Sequence, residues 1–285
     1  MEPCEDVGMR VRPVLLALVA VVALVGCTAS EPAPVADGSV AERWEQAAGG
    51  AVDYQLGGAY EPDPGTTIVV RDASDPPAEG TFSICYLNGF QTQPADGEWW
   101  LREHPDLVLH DAAGEPAVDP GWPDEMALDT STPERRDAIA AIVEPWIAGC
   151  ADAGYDAVEL DNLDSWTRFD GLTMEGNLAL AALLADATHE RGMWVAQKNA
   201  LDAGAGGPAA GFDLVVTEEC GQYDECAAYT ELYGDRHVDV EYVESTSEEA
   251  FAAMCQAGDV PPLTVLRDRQ LAVDGDAAHV HVTCP

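Results

Sequence analysis

The chain has 285 residues, with 52 Asp or Glu against 13 Lys or Arg, a formal charge of −39 and an apolar fraction of 47%. That much apolar material can build a core, which excludes a disordered acidic chain. The scarcity of Lys and Arg excludes a nucleic-acid partner, because phosphates are neutralised by clusters of both.

In chain order, Met9-Arg10-Val11-Arg12 precedes an apolar run over residues 14–25 and then Gly26-Cys27, the order of a secretion signal. The run is too short to span a bilayer. Glu2, Glu5 and Asp6 do not suit a positively charged leader, so translation is expected to begin at Met9. Leu24-Val25-Gly26-Cys27 resembles a bacterial lipobox. Residues 1–26 therefore read as leader and signal peptide, Cys27 as a lipidated N-terminus, and 27–43 as a flexible tether rich in Ala, Pro and Ser. Residues 44–285 read as one folded domain held at the extracellular face of the membrane; a plain secretory signal cut nearby is the alternative.

Apolar, β-branched runs recur at residues 52–56, 67–71, 82–87, 126–129, 157–161, 193–198, 214–218, 237–242 and 263–266. One of the nine is expected to fall outside an eight-stranded sheet. Helical patterns lie between them. Thr132 caps a helix with Pro133 in its first turn and Ile139, Ile142, Val143, Trp146 and Ile147 along one face, with a kink expected at Pro145. A second helix is expected over about 175–191, with Leu178, Leu183 and Leu184 inward and Gly192 as its stop. Strand followed by helix, repeated at this length, predicts an α/β fold, a single (β/α)₈ TIM barrel. A doubly wound sheet is the alternative, but the glycines of Asp202-Ala203-Gly204-Ala205-Gly206-Gly207 miss the dinucleotide-binding spacing.

Beyond Cys4 and Cys27 six cysteines remain, an even count suited to disulfides in an oxidising compartment. The short separation of Cys220 and Cys226 favours that pair; the other pairings stay open. No C-x-x-C pattern supports zinc, so neither metal nor other cofactor is expected.

Chemistry in a barrel sits where strands end. Here Glu159-Leu160-Asp161-Asn162, Gln197-Lys198-Asn199, Glu218-Glu219-Cys220 and Glu241-Tyr242 close four consecutive candidate strands with polar groups. Alternation puts Glu159 and Asp161 on one face, and on the barrel axis if Val158 and Leu160 pack under the helices. Lys198 is the only lysine beside twelve arginines, which marks a need for a compact point charge.

These residues carry a resemblance. Cys85-Tyr86-Leu87-Asn88-Gly89, the run from Asp156 to Asp164, Lys198-Asn199-Ala200, Glu218-Glu219-Cys220 with Tyr223 and Cys226, and Val240-Glu241-Tyr242 occur in the order seen in glycoside hydrolase family 114. That family comprises endo-α-1,4-polygalactosaminidases and related proteins on (β/α)₈ barrels. Leu160 stands where members often have Pro, and Leu87-Asn88 replaces an aromatic and small pair. The resemblance implies a glycosidase acting on an α-linked amino-sugar polymer with two carboxyl groups: Asp161 ionised and Glu219 as proton donor, with Glu218 the rival to Glu219 because alternation turns only one inward. Asp53, Tyr86, Glu159, Asn162, Asp164, Lys198, Asn199, Glu218, Glu241 and Tyr242 are expected to line the sugar site. Trp99, Trp100, Trp122 and Trp166 are candidates for stacking on sugar rings. The expected partners are a polysaccharide and, through the lipid only, the membrane; the chain reads as a monomer. Two other functions remain open: a glycan-binding lipoprotein without turnover, and a Schiff-base lyase using Lys198.

Overall fold

The computed structural model describes residues 38–285; the leader, Cys27 and most of the expected tether lie outside the described residues. The first helix, α1 (Val40–Ala47), starts within residues read as tether. Ser39 and Glu42 close a reciprocal capping box at its start. Its Trp44 packs edge-on against Phe82 and tilted against Trp194, plugging the end of the barrel where the strands begin.

Eight parallel strands follow in sequence order: β1 (Ala51–Gln55), β2 (Thr66–Asp72), β3 (Phe82–Asn88), β4 (Ala157–Asp161), β5 (Trp194–Lys198), β6 (Leu214–Glu218), β7 (His237–Tyr242) and β8 (Leu263–Arg267). The result is the expected (β/α)₈ barrel, nearly closed. Alternate residues of each strand form two layers. Val52, Tyr54, Ile84, Tyr86, Ala157, Ala196, Leu214, Val216, Val238, Val240, Tyr242 and Val265 fill the barrel interior. Val158, Leu160, Val195 and Val215 face the other way, under α3 (Pro133–Ala153), α4 (Met174–His189) and neighbouring helices.

The run at 126–129 is not a barrel strand. It pairs through isolated bridges with Gln91, Val108 and Val118 inside the long connection from β3 to α3, which also carries α2 (Gly97–Glu103). A ninth strand, β9 (His281–Thr283), instead runs antiparallel to β8 beside the seam. There Arg267 donates to the Tyr54 carbonyl and, at 2.9 Å, to Asp53, while His281 reaches the Val52 carbonyl. Helix α3 runs unbroken through Pro145, which lies on its solvent side. In α4, Leu180, Ala181, Leu184 and Ala185 are buried and Leu183 is exposed, a rotation of the expected inward face.

The remaining helices are a single turn, α5 (Gly206–Ala209), then α6 (Cys226–Tyr233) and α7 (Glu248–Ala257). Three disulfides lock the outer layer. Cys85–Cys150 ties β3 to α3, Cys255–Cys284 ties α7 to the segment after β9, and Cys220–Cys226 closes the turn into α6, as its short spacing predicts.

Candidate active site

Strands β4, β5 and β6 deliver polar side chains to the same end of the barrel, and each exits through a residue in the left-handed region: Asn162 (φ 65°), Asn199 (φ 47°) and Glu219 (φ 60°). Asparagine tolerates that conformation through its short polar side chain; glutamate carries a larger steric cost. The turn at once after Asp161, Lys198 and Glu218 leaves these three as the last inward residues of their strands. Glu218 follows Leu214 and Val216 on the interior face.

The three strand ends converge on the Lys198 ammonium. Its Nζ lies 3.3 Å from Glu159 Oε1, 3.5 Å from Asp161 Oδ1 and 3.3 Å from Glu218 Oε2, and 3.1 Å from the Tyr54 hydroxyl. Burial alone would lower the lysine pKa, but Asp161, Glu218, Tyr54 and Glu159 together hold it well above the ordinary value. Burial pushes Glu159 up to about 7, against the pull of Lys198. Tyr54 donates to Glu159 at 2.8 Å, Tyr86 to Asp161 Oδ2 at 2.6 Å, and Tyr242 to Glu218 Oε1. All three phenols are raised well above 10, by burial first and then by neighbouring carboxylates, so they remain hydrogen-bond donors. The Asn162 N–H reaches Asp161 Oδ1 at 2.7 Å. Asn199 Nδ2 donates to Glu218 Oε2 at 3.2 Å, and its Oδ1 accepts from the Glu218 N–H at 2.8 Å.

Of the residues expected in the site, Tyr86, Glu159, Asp161, Lys198, Asn199, Glu218 and Tyr242 are thus brought together, with Asn162 beside them. Glu219 is not. Its carboxylate turns to Arg269, 3.0 Å away, rather than to the barrel axis. Asp53 lies on the opposite face of β1 from Val52 and Tyr54, held by Gln55, Tyr60 and Arg267 at the seam. Glu241 likewise leaves β7 on the face away from Val240 and Tyr242, where it accepts from the N–H groups of Gly221 and Gln222 and from Thr246. Asp164 sits in a short 3₁₀ turn, paired with Arg168 at 2.7 Å.

Several residues next to the site were not foreseen. Tyr54 was findable, because Val52 and Tyr54 share a face that Asp53 cannot. Glu125 comes from the long β3–α3 connection. It accepts from Asn88 at 2.8 Å and is pushed up to about 7 by burial and by the nearby Asp161. Gln91 and Arg168 both donate to Asn162 Oδ1 at 2.7 Å and to Asp119, so the turn following Asp119 is fixed to the residue after Asp161. That turn carries Trp122, 57% exposed; Trp100 is fully buried, and Trp99 and Trp166 are partly so. Trp122 is therefore the one of the four with a largely open ring.

Asp161 and Glu218, two carboxyls facing one another through Lys198 at the mouth of a parallel barrel, supply the pair that glycoside cleavage requires. The sequence profile of glycoside-hydrolase family GH114 matches residues 34–285. The chain belongs to family GH114. It is a glycosidase with a glycan as substrate. The GH114 chain is similar in fold to Ega3 of Aspergillus fumigatus, solved with galactosamine, at 22% identity and a TM-score of 0.66 over 84% of this chain and 97% of that one. It is also similar to the glycoside hydrolase domain of PelA from Pseudomonas aeruginosa, at 18% identity and a TM-score of 0.55 over 82% and 98%. No curated protein matches the GH114 chain in sequence.

The surroundings of Lys198 speak against a Schiff base. Such a lysine needs a depressed pKa to supply a neutral amine, whereas three carboxylates hold this one as an ammonium. Among the described residues, Cys220, His237 and Asp239 have the spacing of a metal site, but the sulfur of Cys220 is committed to Cys226.

Proposed function

We propose that the GH114 chain hydrolyses an α-linked amino-sugar polymer of the α-1,4-polygalactosamine type, with Asp161 as nucleophile and Glu218, in place of Glu219, as acid and base. The observation that carries this reading is the shared contact of Asp161 and Glu218 with one buried ammonium, which keeps the two contacting oxygens within about 7 Å of each other, inside the range used by paired glycosidase carboxyls. Asp161 accepts from Tyr86 and from the Asn162 N–H and pairs with Lys198, so its carboxylate is held in place at the end of β4. The Glu218 side chain is the more open to solvent, 31% against 20%, as a group that meets leaving group and water must be.

In the first step Asp161 attacks the anomeric carbon while the bond to the leaving oxygen breaks; that oxygen keeps the electron pair and takes the proton of Glu218. In the second, Glu218 takes a proton from water, the resulting oxygen attacks the same carbon, and Asp161 departs as carboxylate. Lys198 holds the two acids in register. The acidic mouth suits a cationic polymer through its summed field. The galactosamine bound to the similarly folded Ega3 supports the choice of sugar. The lipobox-like Leu24–Cys27 sequence supports action at the outer face of the membrane.

The test is incubation of the purified protein with partially deacetylated galactosamine polymer, glucosamine polymer and a neutral α-glucan, with products identified by mass. Galactosamine oligomers from the first alone support the reading; binding without new reducing ends favours a non-catalytic glycan receptor.

A further inference from the structure

Arg269 lies after β8, on the rim above Glu218. Its guanidinium rests 4.7 Å from the centre of the Tyr242 ring, whose hydroxyl donates to Glu218. Its Nη2 donates to Glu219 at 3.0 Å and to Ser245 at 3.3 Å, and its backbone N–H reaches the Glu244 carboxylate. The Glu219 side chain is only 9% exposed, while that of Arg269 is 43% exposed. Glu219 Oε1 is buried without a hydrogen-bond partner among the described residues. A buried carboxylate on a left-handed residue thus anchors a cation over the ring of the tyrosine that orients the proposed acid.

A guanidinium offers only donors, and so does an ammonium. A sugar carrying a free amine finds no acceptor on Arg269 and meets a like charge, whereas a hydroxyl or the carbonyl of an acetamido group is accepted. The other side of the gap is the reverse: the partly exposed Asp161 carboxylate offers acceptors. We propose that Arg269, fixed by Glu219, forms a sugar subsite on the Glu218 side of the cleavage point that takes an N-acetylated or unsubstituted sugar and rejects a free amino sugar. The proposal rests on the glycosidase reading above and extends it from substrate class to substitution pattern. Arg269 here is a binding residue of the leaving-group side, and Glu219 is a positioning residue that acts through it.

The experiment digests α-1,4-galactosamine oligosaccharides of known, partial N-acetylation with the full chain and sequences the products by mass spectrometry. The sugar protonated by Glu218 becomes the new non-reducing end. In the wild type the ratio of acetylated to free-amine residues at these ends is expected to exceed that of the intact oligosaccharides about tenfold, and in Arg269→Gln it falls towards the starting ratio. Because removing the arginine strands a buried carboxylate, the double variant Glu219→Gln with Arg269→Gln is digested in parallel and should show the same relaxed pattern. Wild-type ends that follow polymer composition, or an enrichment that both variants keep, overturn the subsite while leaving the hydrolase intact. No reducing ends from any oligosaccharide would overturn the hydrolase reading itself, and the subsite with it.

Discussion

Glu218 and Glu219 are adjacent in sequence, yet their carboxylates meet different cations: Glu218 stands 3.3 Å from Lys198 inside the barrel, and Glu219 stands 3.0 Å from Arg269 at the rim. The left-handed turn at Glu219 makes this division. Glu218 keeps the interior register of Leu214 and Val216, and the chain then leaves the strand before a second inward position arises. The two residues are therefore expected to differ in function as widely as in partner.

Lys198 is the countercharge for three carboxylates and is 3% exposed. Lys198→Met leaves the buried Glu159 unpaired, and losing one partner of a buried ion pair costs about 3–5 kcal/mol. Urea unfolding with the disulfides intact should show that loss near pH 8. The loss should shrink near pH 5 as Glu159, raised by burial, takes up a proton. A variant as stable as the wild type at both pH values would show that the ammonium does not hold the site together.

Burial raises Glu159 from 4.5 to about 7, so the native state holds a proton there that the unfolded chain has released. Stability from this group is full below about 4.5 and is lost as pH rises through about 7, at a slope of at most about 1.4 kcal/mol per pH unit. Glu125 adds to the same window, since it too is raised to about 7. The double variant Glu125→Gln with Glu159→Gln should flatten the fall in urea midpoint between acid and neutral pH. An unchanged slope would assign the fall to other groups.

The disulfides close loops of different length, with sequence separations of 65, 29 and 6 for Cys85–Cys150, Cys255–Cys284 and Cys220–Cys226. Chain entropy then ranks their removal by paired Cys→Ala substitution at roughly 4, 3.5 and 2 kcal/mol in that order. Denaturant unfolding of the three variants reads the ranking directly. A larger loss from Cys220–Cys226 than from Cys85–Cys150 would mean that local order after β6, not loop closure, dominates.

Asp161 Oδ1 and Glu218 Oε2 both touch one nitrogen, at 3.5 and 3.3 Å, so these two oxygens lie at most about 7 Å apart. That bound reaches only the lower edge of the separations used for inversion and covers those used for retention. The first product seen by proton NMR should keep the α configuration. A β product would require the acids to part on substrate binding and make Asp161 a base instead of a nucleophile.

Much of this site is legible in the strand-end residues themselves. The interior face of each strand is written in alternating apolar residues, so Glu159, Asp161 and Lys198 announce their direction, and Lys198 stands out as the only lysine. The same alternation assigns Tyr54 rather than Asp53 to the interior, and Glu218 rather than Glu219, once Val216 is known to face inward. Glu241 looks like a site acid because it ends an apolar run, but its parity is that of Asp239, not of Val240 and Tyr242. Residues 126–129 have the composition of a strand because they are buried, and burial without a ladder is invisible to composition. Glu125, Arg168 and Arg269 reach the site from loops, where no period links sequence to direction.

The central claim is tested most directly by the turnover of three single variants on partially deacetylated galactosamine polymer, scored by reducing-end release after circular dichroism has verified folding. Asp161→Asn and Glu218→Gln should each lose at least about a thousandfold in kcat, the scale set by removing a group that bonds to or protonates the reacting atoms. Glu219→Gln should stay within about tenfold of the wild type. A Glu218→Gln enzyme that keeps near-wild-type turnover while Glu219→Gln is inactive would contradict the assignment.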